Sequence, residues 1–172
     1  MADKRASLSR ELITNTALGV VARDGLEALS MRRLAQELDV WPMSMYRHFR
    51  DKEDLLDAVA AAGAEGVELP RGRGSARKQL AALAAEARSS LARQPPELRR
   101  RTLSSPGMQR LTDAALGTLG ESGLAPGEAE RAWRALLAYV VGSIELEAAG
   151  DQDESDAFDD GLERVLRGTI SA

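Results

Sequence analysis

The chain has 172 residues, no cysteine, one histidine and a formal net charge of −4. The absence of cysteine excludes disulfides and thiolate metal sites, and no apolar run approaches the length of a bilayer-spanning helix, so a cytoplasmic protein with no membrane partner is expected. Ala and Leu dominate the 44% apolar fraction while strand-favouring residues are scarce, which predicts an all-α protein of one domain or a small domain fused to a medium one.

In chain order, Ile13, Ala17, Val20 and Val21 recur at helical spacing over residues 9–23, and Gly25 follows as a C-cap. Leu26 and Leu29 continue into the same core. Ser30 is placed as the N-cap of a second helix that turns Met31, Leu34, Ala35 and Leu38 inward. Asp39 stands where a tight turn needs a positive φ, a conformation easiest for Gly and tolerated by Asp. Pro42 opens a third helix, where its missing N–H costs nothing, and Met45 and Phe49 supply that helix's apolar positions. Asp51 caps a fourth helix, with Asp54 three residues on as a capping-box analogue, and Leu55, Leu56 and Val59 point inward up to about residue 65.

Two short helices joined by a tight turn, from Ser30 to Lys52, make the skeleton of a helix-turn-helix, whose second helix lies in the DNA major groove. Arg32, Trp41, Pro42, Met43, Ser44, Tyr46, Arg47 and His48 are left to face outward, a mixture suited to phosphates and base edges. The net negative charge does not oppose this. From Arg32 to Lys52 the bases Arg32, Arg33, Arg47, Arg50 and Lys52 exceed the acids Glu37, Asp39 and Asp51 by 5 − 3 = +2, and a basic face is what binding requires.

Pro, Gly and clustered bases in residues 67–79 mark a linker, dividing a helix-turn-helix domain over 1–66 from a helical domain over 75–172. Helices are predicted over 75–93, around 97–103, from Pro106 to the glycines at 120 and 123, over 128–148 and over 155–170. The helix over 128–148 has an unusually wide apolar face, with Trp133, Leu136, Leu137, Val140, Val141 and Ile144 in two adjacent stripes. Leu136, Val140 and Ile144, with Phe158, Leu162, Val165 and Leu166 of the last helix, are the candidate interface of a homodimer built as a four-helix bundle. Leu83, Met108, Leu111, Trp133 and Tyr139 are candidate ligand-lining residues, although large apolar residues on helices also serve as core. The acidic run over 151–160 reads as a solvated loop and helix start.

The segments GLEALSMRRLAQEL and MYRHFRDKEDLLDAV resemble the N-terminal domain of the TetR family of transcriptional regulators. LLAYVVGSIELEAAG and AFDDGLERVLRGTI resemble the C-terminal domain of its tetracycline-repressor branch. The resemblance implies a homodimeric, all-helical repressor of double-stranded operator DNA, released by a small-molecule effector of unknown identity. It makes Arg32 a base or phosphate contact, Trp41, Pro42, Met43 and Ser44 the variable reading head, and Tyr46, His48 and Lys52 phosphate anchors. With Ser30 and Arg47 these form the candidate DNA-contacting set.

The chain departs from the family at Asp39, where Gly is usual, and at Trp41, which is bulky for its position. Tetracycline-type members hold their drug through magnesium with histidine help in the C-terminal domain, whereas the one histidine here is His48. That ligand set is therefore absent, and no cofactor or metal is expected. No nucleophile–base pair, phosphate-cradling loop or metal constellation suggests an enzyme. The alternative reading is a helical interaction protein of the same fold that does not read DNA, and repressor and activator remain equivalent at this level.

Overall fold

The computed structural model describes residues 8–65, 69, 74–150 and 155–170. The predicted linker residues 67, 68 and 70–73 and the acidic residues 151–154 lie outside them. Every regular element among the described residues is helical: α1 (Arg10–Asp24), a 3-10 turn (Leu26–Ala28), α2 (Met31–Glu37), α3 (Pro42–Met45), α4 (Lys52–Gly63), α5 (Ala76–Ala92), α6 (Pro96–Leu103), α7 (Pro106–Glu121), α8 (Pro126–Ala148) and α9 (Ser155–Thr169). No helix among these residues is long and apolar enough to cross a membrane.

Local chemistry sets many of the boundaries. The Ser9 hydroxyl accepts the Leu12 N–H at 3.1 Å, the Ser30 hydroxyl the Arg33 N–H at 3.1 Å and the Ser75 hydroxyl the Lys78 N–H at 3.4 Å, each satisfying a donor the helix cannot. Proline occupies the first position of α3, α6, α7 and α8, where its fixed φ suits the helix and its missing N–H is no loss. Gly25 ends α1 at φ 82°.

The chain forms two units, Met1–Gly63 with Gln94–Ser105, and Ala64–Arg93 with Pro106–Ala172. The first unit closes α1, α2, α3 and α4 around Ile13, Ala17, Val20, Leu34, Met45, Phe49, Leu55 and Val59. It also includes α6, which the sequence groups with residues 75–172. The reason is specific: Leu98 of α6 joins this apolar cluster, and Arg101 pairs with both Glu53 and Asp57 of α4. The Gln94 amide lies so close over Gly63 that an added Cβ there would sit 1.8 Å from its nitrogen.

The second unit packs α5, α7, α8 and α9 against one another. Leu80, Leu83 and Leu91 of α5, Met108, Leu111 and Leu119 of α7, and Trp133, Leu136 and Val140 of α8 are buried in it. The Trp133 indole N–H donates to Thr112 Oγ1 at 3.1 Å, so this large side chain is buried without an orphaned donor. Near the start of α9, Tyr139 stacks on Phe158 with ring centroids 5.5 Å apart, and its hydroxyl donates to the Phe158 carbonyl at 2.9 Å. Gly161 permits this approach, since a Cβ there would meet the Tyr139 oxygen at 2.1 Å. Arg88 of α5 lies 4.6 Å over the Phe158 ring and pairs with Glu147 at 2.6 Å, which ties α5 and α8 to the same end of α9.

Candidate nucleic-acid interface

The exposed face of the first unit is shaped by how α2 ends and α4 begins. At the end of α2 the Val40 N–H donates to the Ala35 carbonyl (2.9 Å) and the Asp39 N–H to the Gln36 carbonyl (3.2 Å). These paired bonds define a Schellman ending, with Asp39 at φ 52° in the position usually given to Gly. Val40 then packs against the core and Trp41 is carried outward. The Ser44 N–H returns to the Trp41 carbonyl at 2.8 Å to start α3, and the His48 and Phe49 N–H groups both reach the Met45 carbonyl at 3.0 Å. This places Met45 and Phe49 in the core and the residues around them at the surface.

The start of α4 holds a cluster that composition and periodicity do not reveal. Asp51 accepts the Asp54 N–H at 2.8 Å and so caps the helix. Asp54 does not return the bond to residue 51 as a capping box would. Its carboxylate accepts the Arg50 N–H at 3.1 Å and the Arg10 guanidinium at 2.8 Å. Arg10 also donates to the His48 carbonyl at 2.6 Å and lies 4.1 Å over the Phe49 ring. The Arg10 hydrogen bond, then the Arg50 N–H, hold the Asp54 pKa down at about 2. Arg10 is legible in one respect: a cation in the first turn of a helix faces the positive end of the dipole, so it must find its partner elsewhere.

These pairings sort the cations. Arg33 is taken by Glu37 (2.8 Å) and Asp24 (3.2 Å), Arg23 by Glu37 (2.8 Å), and Arg50 by Asp54 (3.6 Å). Among the described residues no ion pair or side-chain hydrogen bond engages Arg32, Arg47 or Lys52. The acids of the first turn of α4 are themselves compensated, Glu53 by Arg101 and Asp54 by Arg10, which leaves Lys52 unpaired at that end.

The other predicted contacts differ in exposure. Pro42, Tyr46 and Arg47 are exposed and Ser44 and His48 half-buried, while Trp41 and Met43 are 84% and 74% exposed. Ser30 is exposed, and although its hydroxyl caps α2, the O–H remains able to donate.

In the second unit, Leu83, Met108, Leu111 and Trp133 are buried, and Tyr139 stands apart from them. Six helical residues separate Trp133 from Tyr139, a net rotation of about 240°. Tyr139 instead lines a cleft of about 300 Å³ with Gly142, Ser143, Leu146, Glu147, Ala157 and Phe158. The residues predicted as a dimer interface are largely interior: Leu136, Val140, Ile144, Phe158, Leu162 and Leu166 are buried within the unit and Val165 is half-buried. The packing of α5 and α7 against α8, and of α5 against α9, uses these stripes. The apolar surface left over on α8 and α9 includes the exposed Ala135, Ala138, Leu146, Ala157 and Gly168 and the half-buried Leu137, Val141, Gly142, Gly161 and Val165.

Comparison with known proteins agrees with this geometry. Residues 13–59 match the profile described as bacterial regulatory proteins, tetR family. Over 151 residues the chain is 32% identical to the tetracycline repressor protein class A from transposon 1721 of Escherichia coli, covering 85% of this chain and 70% of that protein. The structure of a single-substitution variant of TetR from Acinetobacter baumannii AYE in complex with minocycline has a TM-score of 0.77 at 30% identity, covering 94% of this chain and 96% of the other. For BioQ of Mycobacterium smegmatis the TM-score is 0.80 at 25% identity, with 95% and 99% covered. The chain belongs to the TetR family of bacterial regulatory proteins, DNA-binding transcriptional regulators with an N-terminal helix-turn-helix.

Proposed function

We propose that this protein is a cytoplasmic, homodimeric repressor that binds a two-fold operator and is released by a small, mostly apolar effector. The observation that carries the reading is the sorting of charge: Arg32, Arg47 and Lys52 are exposed and unpaired among the described residues, while neighbouring cations are internally neutralised. Each copy inserts the segment from Pro42 to Arg47 into a major groove, the two insertions lying about one turn of duplex apart, roughly 34–36 Å. Tyr46, His48 and Lys52 hold phosphates, with the free N–H groups at the start of α4 assisting Lys52. Arg32, Met43 and Ser44 read bases.

The homodimer pairs through the exposed and half-buried apolar residues of α8 and α9, Ala138, Val141, Gly142, Leu146, Gly161 and Val165 among them, because Leu136, Val140, Ile144, Phe158, Leu162 and Leu166 are already buried inside the unit. Small residues there support close helix approach in a four-helix bundle. The effector acts through its differential affinity for two conformations of the second unit. Short connections join α6 to α5 and α7, and α6 is ion-paired to α4 through Arg101. This supports transmission of the change to the helix that begins at Lys52.

The Acinetobacter relative is a complex with minocycline. In this chain the one histidine, His48, is in the first unit, so the effector is held without a histidine-assisted metal link. The reading is tested by selecting bound duplexes from a random pool and titrating cognate and scrambled sequences. Lys52→Ala and Tyr46→Phe weaken binding to every duplex, whereas Ser44→Ala and Arg32→Ala change which duplex is preferred. No change for any of the four variants contradicts the assignment.

A further inference from the structure

The apolar part of the DNA-facing surface is not explained by phosphate binding. Trp41 and Met43 flank Pro42 at the start of α3 and are 84% and 74% exposed. No other large apolar side chain among the described residues is as exposed as either. Neither side chain takes part in a hydrogen bond or ring contact among the described residues. In solution both leave a large apolar area against water, which is recovered only when something apolar covers it.

The chemistry of α3 narrows what that partner is. Of Pro42–Met45, Met45 is buried in the core and Ser44 alone carries a hydrogen-bonding side chain, itself half-buried. Pro42–Met45 holds no Arg, Asn or Gln to read a purine bidentately, so such reading is left to Arg32 of α2 and Arg47 beyond the helix. The one apolar group that a base pair displays in the major groove is the C5-methyl of thymine. Beside Trp41, on the rim of the same open concavity with Ala35, Asp39 and Val40, lies Gln36, and a glutamine amide suits the major-groove edge of adenine. Arg32 and Arg47, within ten residues of Trp41 in the chain, are exposed and carry positive charge, which favours a duplex over a neutral apolar partner.

We infer that Trp41 and Met43 read thymine methyl groups, with Gln36 placed to read the adenine of the pair that Trp41 meets, so that the operator positions these residues meet are specified as A·T pairs through apolar contact. This rests on the operator-binding reading above and adds the base chemistry of that site.

The test replaces thymine by deoxyuridine, one position at a time and symmetrically in both half-sites, in the duplex enriched from a random pool. This substitution removes the methyl group and leaves every hydrogen-bonding group in place. Loss of one buried methyl weakens binding by roughly fourfold, and of the symmetric pair by about fifteenfold. The expected result is such a loss at one position assigned to Trp41 and another assigned to Met43. Trp41→Ala and Met43→Ala each abolish the thymine–uracil difference at one of these positions and leave it intact at the other, the signature of a direct pairwise contact. Gln36→Ala relaxes the preference for adenine opposite the Trp41-dependent thymine. Both side chains are exposed, so the variants keep the wild-type melting temperature. Equal affinity for thymine and uracil duplexes at every position overturns the inference while leaving operator binding intact. Failure of the wild-type chain to enrich any duplex overturns both.

Discussion

Trp41 and Trp133 are the two tryptophans of this chain, and the structure uses them in opposite ways. Trp133 lies mid-helix in α8, 2% exposed, with its N–H satisfied by Thr112. Trp41 follows a left-handed Asp39 and precedes the helix-opening Pro42, and is 84% exposed. The same side chain is packed into the core of one unit and lies open to solvent in the other. What decides between them is backbone context: a continuous helix returns its apolar stripe to the core every three or four residues, while a turn and a one-turn helix leave Trp41 and Met43 facing out.

This contrast predicts a descending series of effects. Trp133→Ala removes a buried ring and leaves a cavity, costing about 3–5 kcal/mol. For a chain of this size that lowers the melting temperature by roughly 10 °C or more, measured by thermal unfolding. An unchanged melting temperature contradicts the core assignment.

The Asp54 cluster gives an acid-side effect. Its pKa is lowered in the fold to about 2 from an ordinary value of 3.8, so its contribution to stability is fully present above about pH 4 and is lost as pH falls from 4 towards 2. Asp54→Asn flattens that part of the stability–pH profile, and Arg10→Gln does so through the same bond. A profile as steep in the variants as in the wild type contradicts this placement. Trp41→Ala is the smallest effect on folding, within about 0.5 kcal/mol, while it reduces operator affinity. Loss of stability comparable to that of Trp133→Ala erases the comparison between the two residues.

Much of the first unit is legible in the sequence because its signals are local. The caps Ser30 and Asp51, the positive φ at Asp39 and the helix-opening Pro42 each depend on residues within one turn, and each occurs where local chemistry requires it. The long-range pairings are not legible. Arg10 bonds to residues 38 and 44 positions away, and Arg101 reaches 44 and 48 positions back to α4, distances over which no periodicity carries information. The membership of α6 in the first unit follows from the same kind of contact.

The second unit shows another limit. Apolar spacing marks which faces of α8 and α9 are buried, but not whether a neighbouring helix or a second copy buries them. Leu136, Val140 and Ile144 are covered within the unit, and Tyr139 points away from the residues near Trp133. Two stripes on one helix therefore separate into an interior stripe and a partly covered one only once the helices packed beside them are known.

The central claim is that DNA binding uses the cations left unpaired by the fold. The most direct measurement is operator affinity as a function of salt for the wild type, Lys52→Ala, Arg47→Ala and Arg33→Ala. Each phosphate contact contributes about 0.9 to the slope of log affinity against log salt, so one lost contact per copy lowers a dimer's slope by roughly 1.8. The account predicts that reduction for Lys52→Ala, a reduction of the same sign for Arg47→Ala, and little change for Arg33→Ala, whose charge is held by Glu37 and Asp24. Equal slopes for Lys52→Ala and wild type, or the larger loss at Arg33→Ala, contradict it.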